Sequence, residues 1–296
     1  MTVVEERAAA DPSTATVDQA YGYCRQLTHR YGANFSVGFR FLPAKKRRAV
    51  YAAYAFCRLA DDIADDPGMA ISERLDRWQA ELDNCYEGNP RHLVTIALAD
   101  SLRSYDIPKS AFVDLIDGCR QDLVKKRYAD FAELLEYCRL VAASISDISL
   151  AIFGYSADSA LEHGRDLSTA LQLTNVTRDV GDDLERDRIY LPAEDLERFG
   201  VSEANLFEKR RNENMLALIR FQSERARSYF VRAQPLIDEI DADARFPVTL
   251  MGSVYSTVLN EIDKDPLAVL DRRVALSLPR KIGVVMSRIF DRRFVR

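Results

Sequence analysis

The chain has 296 residues with 47% apolar and 29% charged residues, enough for a substantial core under a soluble surface, which excludes disorder and collagen-like composition. Its net charge of −5 argues against a nucleic-acid binder that works through overall positive charge. With 12 Gly and 10 Pro it is poor in turn-makers against the roughly 12% of ordinary usage, which points to long helices.

Residues 1–16 read as a mobile tail, acidic and without the apolar run of a secretory signal. From residue 17 onward the apolar spacing is three and four, with breaks at Gly and Pro. A helix is predicted from Pro43, placed as an N1 proline, to Asp66, where Pro67-Gly68 ends it. Further helical stretches follow at 69–87, 91–105, 109–127, 130–153, 158–186, 212–240 and 248–264. No segment alternates with period two. These elements predict one all-α domain, 17–296, of eight to ten helices. Five scattered cysteines without a C-x-x-C pair, and three scattered histidines, speak against a disulfide framework or a histidine metal site. No apolar run approaches the ~18 residues of a membrane span, so a cytoplasmic protein is expected.

Two acidic motifs interrupt this ordinary pattern. Asp61-Asp62-Ile63-Ala64-Asp65-Asp66 closes the helix that starts near Pro43. Asp61 and Asp65 share a face at i,i+4, and like charges there, close to a helix C-terminus, cost stability. Tyr54, Arg58, Asp61 and Asp65 fall within about 60° of arc at 100° per residue, with Tyr51 at the margin. Carboxylates held against local stability suit Mg²⁺, which is usually held by one or two carboxylates together with waters and substrate phosphates. The bland alternative is a solvated acidic helix end.

The second motif runs Asn175-Val176-Thr177-Arg178-Asp179-Val180-Gly181-Asp182-Asp183. Asn175, Asp179 and Asp183 stand at i, i+4 and i+8, flanked by Gln172 and Asp182. The apolar Leu167–Leu173 stretch before them turns this face inward, where carboxylates need a cation or a basic partner. Arg178 and Arg186 offer the bland answer, an internal salt-bridge network. Taken together, two such ridges facing each other across a bundle repel unless cations and a diphosphate fill the gap. That chemistry ionises an apolar diphosphate ester, such as a prenyl diphosphate.

Tyr54-Ala55-Phe56-Cys57-Arg58 with the first motif, and Gln172 to Asp183 followed by Asp187-Arg188-Ile189-Tyr190-Leu191-Pro192, closely resemble the squalene/phytoene synthase family. The resemblance runs from about Tyr21 to Arg273. It implies an isoprenoid-synthase helical bundle that couples two prenyl diphosphates head to head through a cyclopropylcarbinyl diphosphate, with several Mg²⁺ ions. By the resemblance, Asp61 and Asp65 hold metal on one wall, and Asn175, Asp179 and Asp183 on the other. Tyr54, Arg58, Arg178, Tyr255 and one of Arg272 or Arg273 would bind diphosphate or shape the reaction, and Phe35 and Phe39 would line the prenyl cavity. Tyr51, Tyr137, Val141, Ala142 and Gln172 complete the expected substrate contacts.

The 135–153 stretch matches a small-residue element of that family, with Ala142, Ala143, Ser144 and Ser146. Ala143 and Ser146 stand where many relatives have Gly, which narrows the expected tunnel and favours a C15 substrate and a squalene-type product, as does Asn34-Phe35-Ser36-Val37. Ordinary close helix packing explains the same small residues. The alternatives are a phytoene synthase acting on geranylgeranyl diphosphate, or a single half-reaction. No glycine-rich dinucleotide fingerprint is present, so NADPH is compatible with the fold but unsupported by the sequence. Residues 272–296 carry eight Arg or Lys and one Asp, a basic amphipathic stretch suited to peripheral contact with an anionic membrane, or to plain packing on the domain.

Overall fold

The computed structural model describes residues 16–31, 38–66, 70–288 and 293–294, without the side chains at 278, 281, 282 and 288. The expected tail before Thr16, the Asn34-Phe35-Ser36-Val37 segment and the Pro67-Gly68 break lie outside the described residues.

The chain is helical from Val17 onward. In order come α1 (Val17–Tyr31), α2 (Ala44–Asp65), α3 (Ile71–Tyr86), α4 (Leu93–Leu102), α5 (Lys109–Val124), α6 (Phe131–Cys138), a π-helical turn (Arg139–Ala143), α7 (Ser144–Phe153), α8 (Ser159–Arg178) and α9 (Val180–Glu185). Then follow α10 (Ala193–Arg198), α11 (Glu203–Phe207), α12 (Glu213–Arg232), α13 (Leu236–Glu239), α14 (Ala242–Lys264), a 3₁₀ turn (Pro266–Leu270) and α15 (Leu278–Arg288). Among the described residues the only β pairings are two single bridges, Arg127 with Ile189 and Tyr155 with Ile240. The all-α expectation holds.

Several boundaries differ from the periodicity. Pro43 is the N-cap of α2 rather than its first helical residue. The 130–153 stretch is divided by the π turn, where the Ser144 hydroxyl donates back to the Leu140 carbonyl at 2.5 Å. There Val141 occupies the hollow over Gly118 of α5, a tertiary fit that periodicity does not encode. The 158–186 stretch breaks at Asp179, with φ −100° and ψ 12°. The ladder nevertheless survives that single-residue kink: the Asp179 N–H donates to the Asn175 carbonyl at 2.8 Å and the Asp183 N–H to the Asp179 carbonyl at 2.9 Å. Asn175, Asp179 and Asp183 therefore still share one face.

Pro247, expected to be a break, lies inside α14. The turn before it is held from outside: Lys46 of α2 donates to Asp241 at 2.9 Å and Asp243 at 2.7 Å, and Arg245 donates to the Ile240 carbonyl at 3.1 Å. Such contacts offset the one backbone bond that proline removes. The short helices α10 and α11 escape periodicity altogether.

α1 and α4 pack on α2, and α12 packs on α8, which also meets α7 and α14. At the centre of the first half Phe56 stacks on Trp78 (centroids 4.7 Å apart) and meets Phe112 edge-on at 5.0 Å. All five cysteines are free and buried. No helix of the described residues is long and apolar enough to cross a membrane.

Candidate active site

α2, α5, α6, α8, α9 and α14 enclose a cavity of about 640 Å³. Its first wall is the end of α2, with Arg58, Asp61, Ala64 and Asp65. Its second is formed by Gln172, Asn175, Arg178, Asp179 and Asp183 on α8 and α9. The two acidic ridges thus face one space. Tyr137, Tyr255 and Arg273 also border it.

On the first wall, Asp61 is exposed to the cavity and crowded by the protein around it, and the Cys119 thiol donates to it at 3.5 Å. Loss of bulk solvation pushes its carboxyl up to about 7. Arg58 is paired with Asp62, one turn along the same helix, and its guanidinium lies 4.7 Å from the Tyr31 ring centroid. Its Nε is buried with no hydrogen-bond partner among the described residues, leaving one donor for an anion. Tyr54, half-buried, has its phenol pushed up to about 12 by burial, and it is not among the residues that line the cavity.

On the second wall, Arg178 is only 6% exposed and clasps Asp179 through Nε at 2.7 Å and Nη2 at 2.5 Å. Arg273 adds an ion pair to the same carboxylate at 2.9 Å. Burial works against Arg178's charge, but the Asp179 bonds outweigh it and its pKa is raised. Asp183 is pushed up to about 7 by burial and by the neighbouring Asp179 charge. The Asn175 Nδ2 donates to Gln172 Oε1 at 3.2 Å, while the Asn175 Oδ1 is buried with no hydrogen-bond partner. Tyr255 is buried beside Arg178, and burial raises its phenol.

The salt-bridge alternative is therefore realised in part: Arg178 and Arg273 neutralise Asp179, and Arg186 reaches Asp65. Among the described residues, Asp61 and Asp183 have no such ion pair. Among the described residues no three His, Cys, Asp or Glu side chains stand close enough to hold a metal by themselves. An ion between the ridges would complete its shell with waters and phosphate oxygens, as Mg²⁺ does. The orphaned Asn175 oxygen and the two carboxyls without ion pairs are the donors suited to it.

Other expected contacts fall elsewhere. Phe39 meets Tyr51 edge-on at 6.3 Å and borders a separate apolar hollow of about 20 Å³ with Phe153 and Val248. Phe35 lies outside the described residues. Val141 is spent on Gly118, Ala142 is buried, and neither borders the main cavity. Of the two C-terminal arginines, Arg273 borders the cavity and Arg272 does not. Periodicity missed Asp122, Tyr31 and Cys119; the one sequence signal for Asp122 is an anion in the last turn of α5, opposed by the helix dipole.

An all-helical bundle whose long helices carry opposed acidic ridges into one cavity defines an isoprenoid-synthase fold, and the class of enzyme is a prenyltransferase. The chain belongs to the squalene/phytoene synthase family, whose profile matches residues 28–280. It is 37% identical over 282 residues to a 15-cis-phytoene synthase of Synechocystis sp., covering 90% of this chain and 84% of that protein. It is 36% identical to a phytoene synthase of Arthrospira platensis, covering 90% and 92%. Among solved structures, a dehydrosqualene synthase in complex with ligand superposes with a TM-score of 0.86 at 29% identity, covering 92% of this chain and 96% of the other. A squalene synthase from Alicyclobacillus acidocaldarius gives 0.80 at 29% identity, covering 86% and 97%.

The two phytoene synthases support the phytoene-type alternative better than the squalene-type preference read from Ala143 and Ser146. The packing gives one of these small residues another role. A Cβ on Gly164 of α8 would lie 2.6 Å from the Ser146 hydroxyl, so Ser146 serves close helix packing.

Proposed function

We propose that this protein couples two molecules of geranylgeranyl diphosphate head to head, with a divalent cation, to give a phytoene-type C40 product. The observation that carries the reading is the opposition of Asp61 and Asp65 to Asn175, Asp179 and Asp183 across one cavity. The choice of C20 substrate is supported by the similarity to phytoene synthases.

Asp61 and Asp65 on one side, and Asn175, Asp179 and Asp183 on the other, would hold Mg²⁺, which when bound offsets the charge of the ridges and of the leaving diphosphate. Arg58, through its unpartnered Nε, and Arg178 and Arg273 bind diphosphate oxygens. The first departure leaves an allylic cation, which the double bond of the second substrate attacks; proton loss closes the cyclopropane. A second departure, rearrangement and proton loss yield a linear hydrocarbon with a central conjugated triene, without a reductant. Tyr255, at the cavity wall, offers a ring face to these cations at about 1–2 kcal/mol when desolvated. Val254, Val258, Val274 and Leu276 make that end of the cavity apolar and exclude the water that would quench a cation to an alcohol.

Incubation with Mg²⁺ and either geranylgeranyl or farnesyl diphosphate, with and without NADPH, tests the reading. The expected result is a C40 hydrocarbon from the C20 substrate without NADPH. A C30 product from farnesyl diphosphate alone would restore the squalene-type reading, which the dehydrosqualene and squalene synthase likenesses keep in view. No diphosphate release from either substrate, or from presqualene diphosphate, would overturn the enzyme reading altogether.

Peripheral membrane contact through α15 is supported by the exposure of Met286 on a helix that also carries Arg280, although Arg280 pairs with Glu261 of α14 at 3.1 Å. Co-sedimentation with anionic vesicles tests it.

A further inference from the structure

Two arginine-on-tyrosine contacts join α1 to α2, ten residues apart on each helix. Near the start of both, the Arg48 guanidinium lies 4.0 Å from the Tyr21 ring centroid; further along, the Arg58 guanidinium lies 4.7 Å from that of Tyr31. The first pair is closed on itself. Arg48 also donates to Asp18 of α1 at 2.8 Å, and the buried Tyr21 spends its hydroxyl on Asp100 and Ser101 of α4. The second pair stands open: Tyr31 and Arg58 both border the cavity, and the Tyr31 residue is 36% exposed.

Burial does not account for Tyr31. A ring placed for packing hides its faces in the core, whereas Tyr31 ends α1 at the surface with two guanidinium groups near it, Arg58 and, at 5.2 Å, its neighbour Arg30. Nor does Arg58 need the ring for its charge, since Asp62 already pairs with it. Asp62 lies one turn along the same helix and does not border the cavity, so that bond alone draws the guanidinium along α2. The ring holds it on a second side. A flat guanidinium stacks well on an aromatic face, and an arginine held on two sides has fewer rotamers to lose when it takes an anion. Its Nε, without a hydrogen-bond partner among the described residues, is a donor that these two contacts leave over.

We propose that Tyr31 is a positioning residue for Arg58: its ring fixes the guanidinium plane at the edge of the cavity, so that Arg58 meets a diphosphate already oriented. The ring acts through Arg58 and not on the diphosphate itself. The proposal rests on the prenyl-coupling reading for its physiological role, but its physical content is affinity for a diphosphate anion, which can be measured without turnover.

The test is calorimetric titration of the full-length protein with inorganic diphosphate in the presence of Mg²⁺, with melting temperatures to confirm that each variant folds. Tyr31→Ala should weaken diphosphate binding about twofold to fivefold, the size of one partly exposed cation–π contact. Tyr31→Phe keeps the ring and should restore wild-type affinity. In an Arg58→Ala background, where Arg178 and Arg273 still offer donors, Tyr31→Ala should cause no further loss, because the group it acts through is gone. Unchanged affinity in Tyr31→Ala would overturn the proposal, as would wild-type protein that binds no diphosphate. An equal loss in Tyr31→Phe would assign the effect to the hydroxyl, and a further loss of the same size without Arg58 would show that Tyr31 acts independently of it; either result overturns the proposal. Wild-type protein and variants that bind diphosphate in the expected pattern, yet form no hydrocarbon from geranylgeranyl diphosphate, would sink the prenyl-coupling reading and leave this proposal standing.

Discussion

Arg186, at the C-cap of α9, extends to Asp65 of α2, with its Nη1 3.7 Å from the carboxylate, so the ends of the two acidic ridges stand within a side chain's reach of each other. Both partners are largely exposed, and an ion pair of that kind contributes about 0–1 kcal/mol. It measures the gap without closing it. Among the described residues, no closer ion pair joins the two ridges.

Asp65→Asn and Asp179→Asn should each lower turnover by at least about a hundredfold, the usual loss when one preorganised electrostatic group is removed. Far-ultraviolet circular dichroism should be unchanged, since neither carboxylate caps a helix. Isothermal titration with Mg²⁺ and inorganic diphosphate should show weakened binding in both. A near-normal rate in either variant would show that the facing ridges do not act together.

Asp61 and Asp183 carry carboxyls pushed up to about 7 by burial. A folded-state value above the unfolded one means that the native state binds more protons between about pH 4 and 7. The stability associated with the protonated forms is therefore full below about pH 4 and is lost as pH rises through about 7. Water in the cavity screens part of this, so the effect is modest at Asp61. In metal-free protein, Asp61→Asn should flatten the pH dependence of the melting temperature. At pH 8 it should raise that temperature by a few degrees, on the scale of about 2–4 °C per kcal/mol for a chain of this size, while abolishing turnover. A lower melting temperature at pH 8 would contradict the cause assigned to the shift.

Gly181 brings α9 against the 3₁₀ turn: a Cβ there would lie 2.6 Å from the Leu270 carbonyl oxygen and 3.0 Å from that of Val269. These are backbone atoms, so α9 itself must move. Gly181→Ala should cost about 1–3 kcal/mol, typical of overpacking, and should displace Asp182 and Asp183. Chemical denaturation reads the first effect and Mg²⁺-diphosphate titration the second; an unchanged affinity would mean that α9 can shift without its carboxylates.

Asp195, 2% exposed, is held by Arg225 through Nη1 at 2.5 Å and by Gln222 at 2.9 Å. Arg225→Leu leaves a buried carboxylate without its charge partner and should destabilise by about 3–5 kcal/mol. The double variant with Asp195→Leu should recover much of that loss. Since this pair joins α10 to α12 and lies off the cavity, the kinetic constants of the folded fraction should stay within about twofold of wild type, a bound consistent with the additivity of distant sites.

The sequence alone determined the helical class, the two acidic faces and their family, because helical periodicity and i,i+4 spacing are local and survive in any packing of these helices. The kink at Asp179 was not legible in local spacing; there the chain meets Arg273, which pairs with the Asp179 carboxylate, and Leu270, whose carbonyl lies against Gly181, from about ninety residues away. Asp122 was hidden for the same reason: its partners Tyr137 and Tyr190 lie on other segments, and only the fold brings three hydroxyl and carboxylate groups to one point. The role of Ser146 was not legible because a small side chain suits a tunnel wall and a helix contact equally, and only the partner across the gap, here Gly164, shows the contact it makes. Tertiary structure alone settled which arginine meets Asp179, which carboxylates keep an unshared charge, and that both ridges open on one cavity, since these depend on distances between elements that the chain order leaves free.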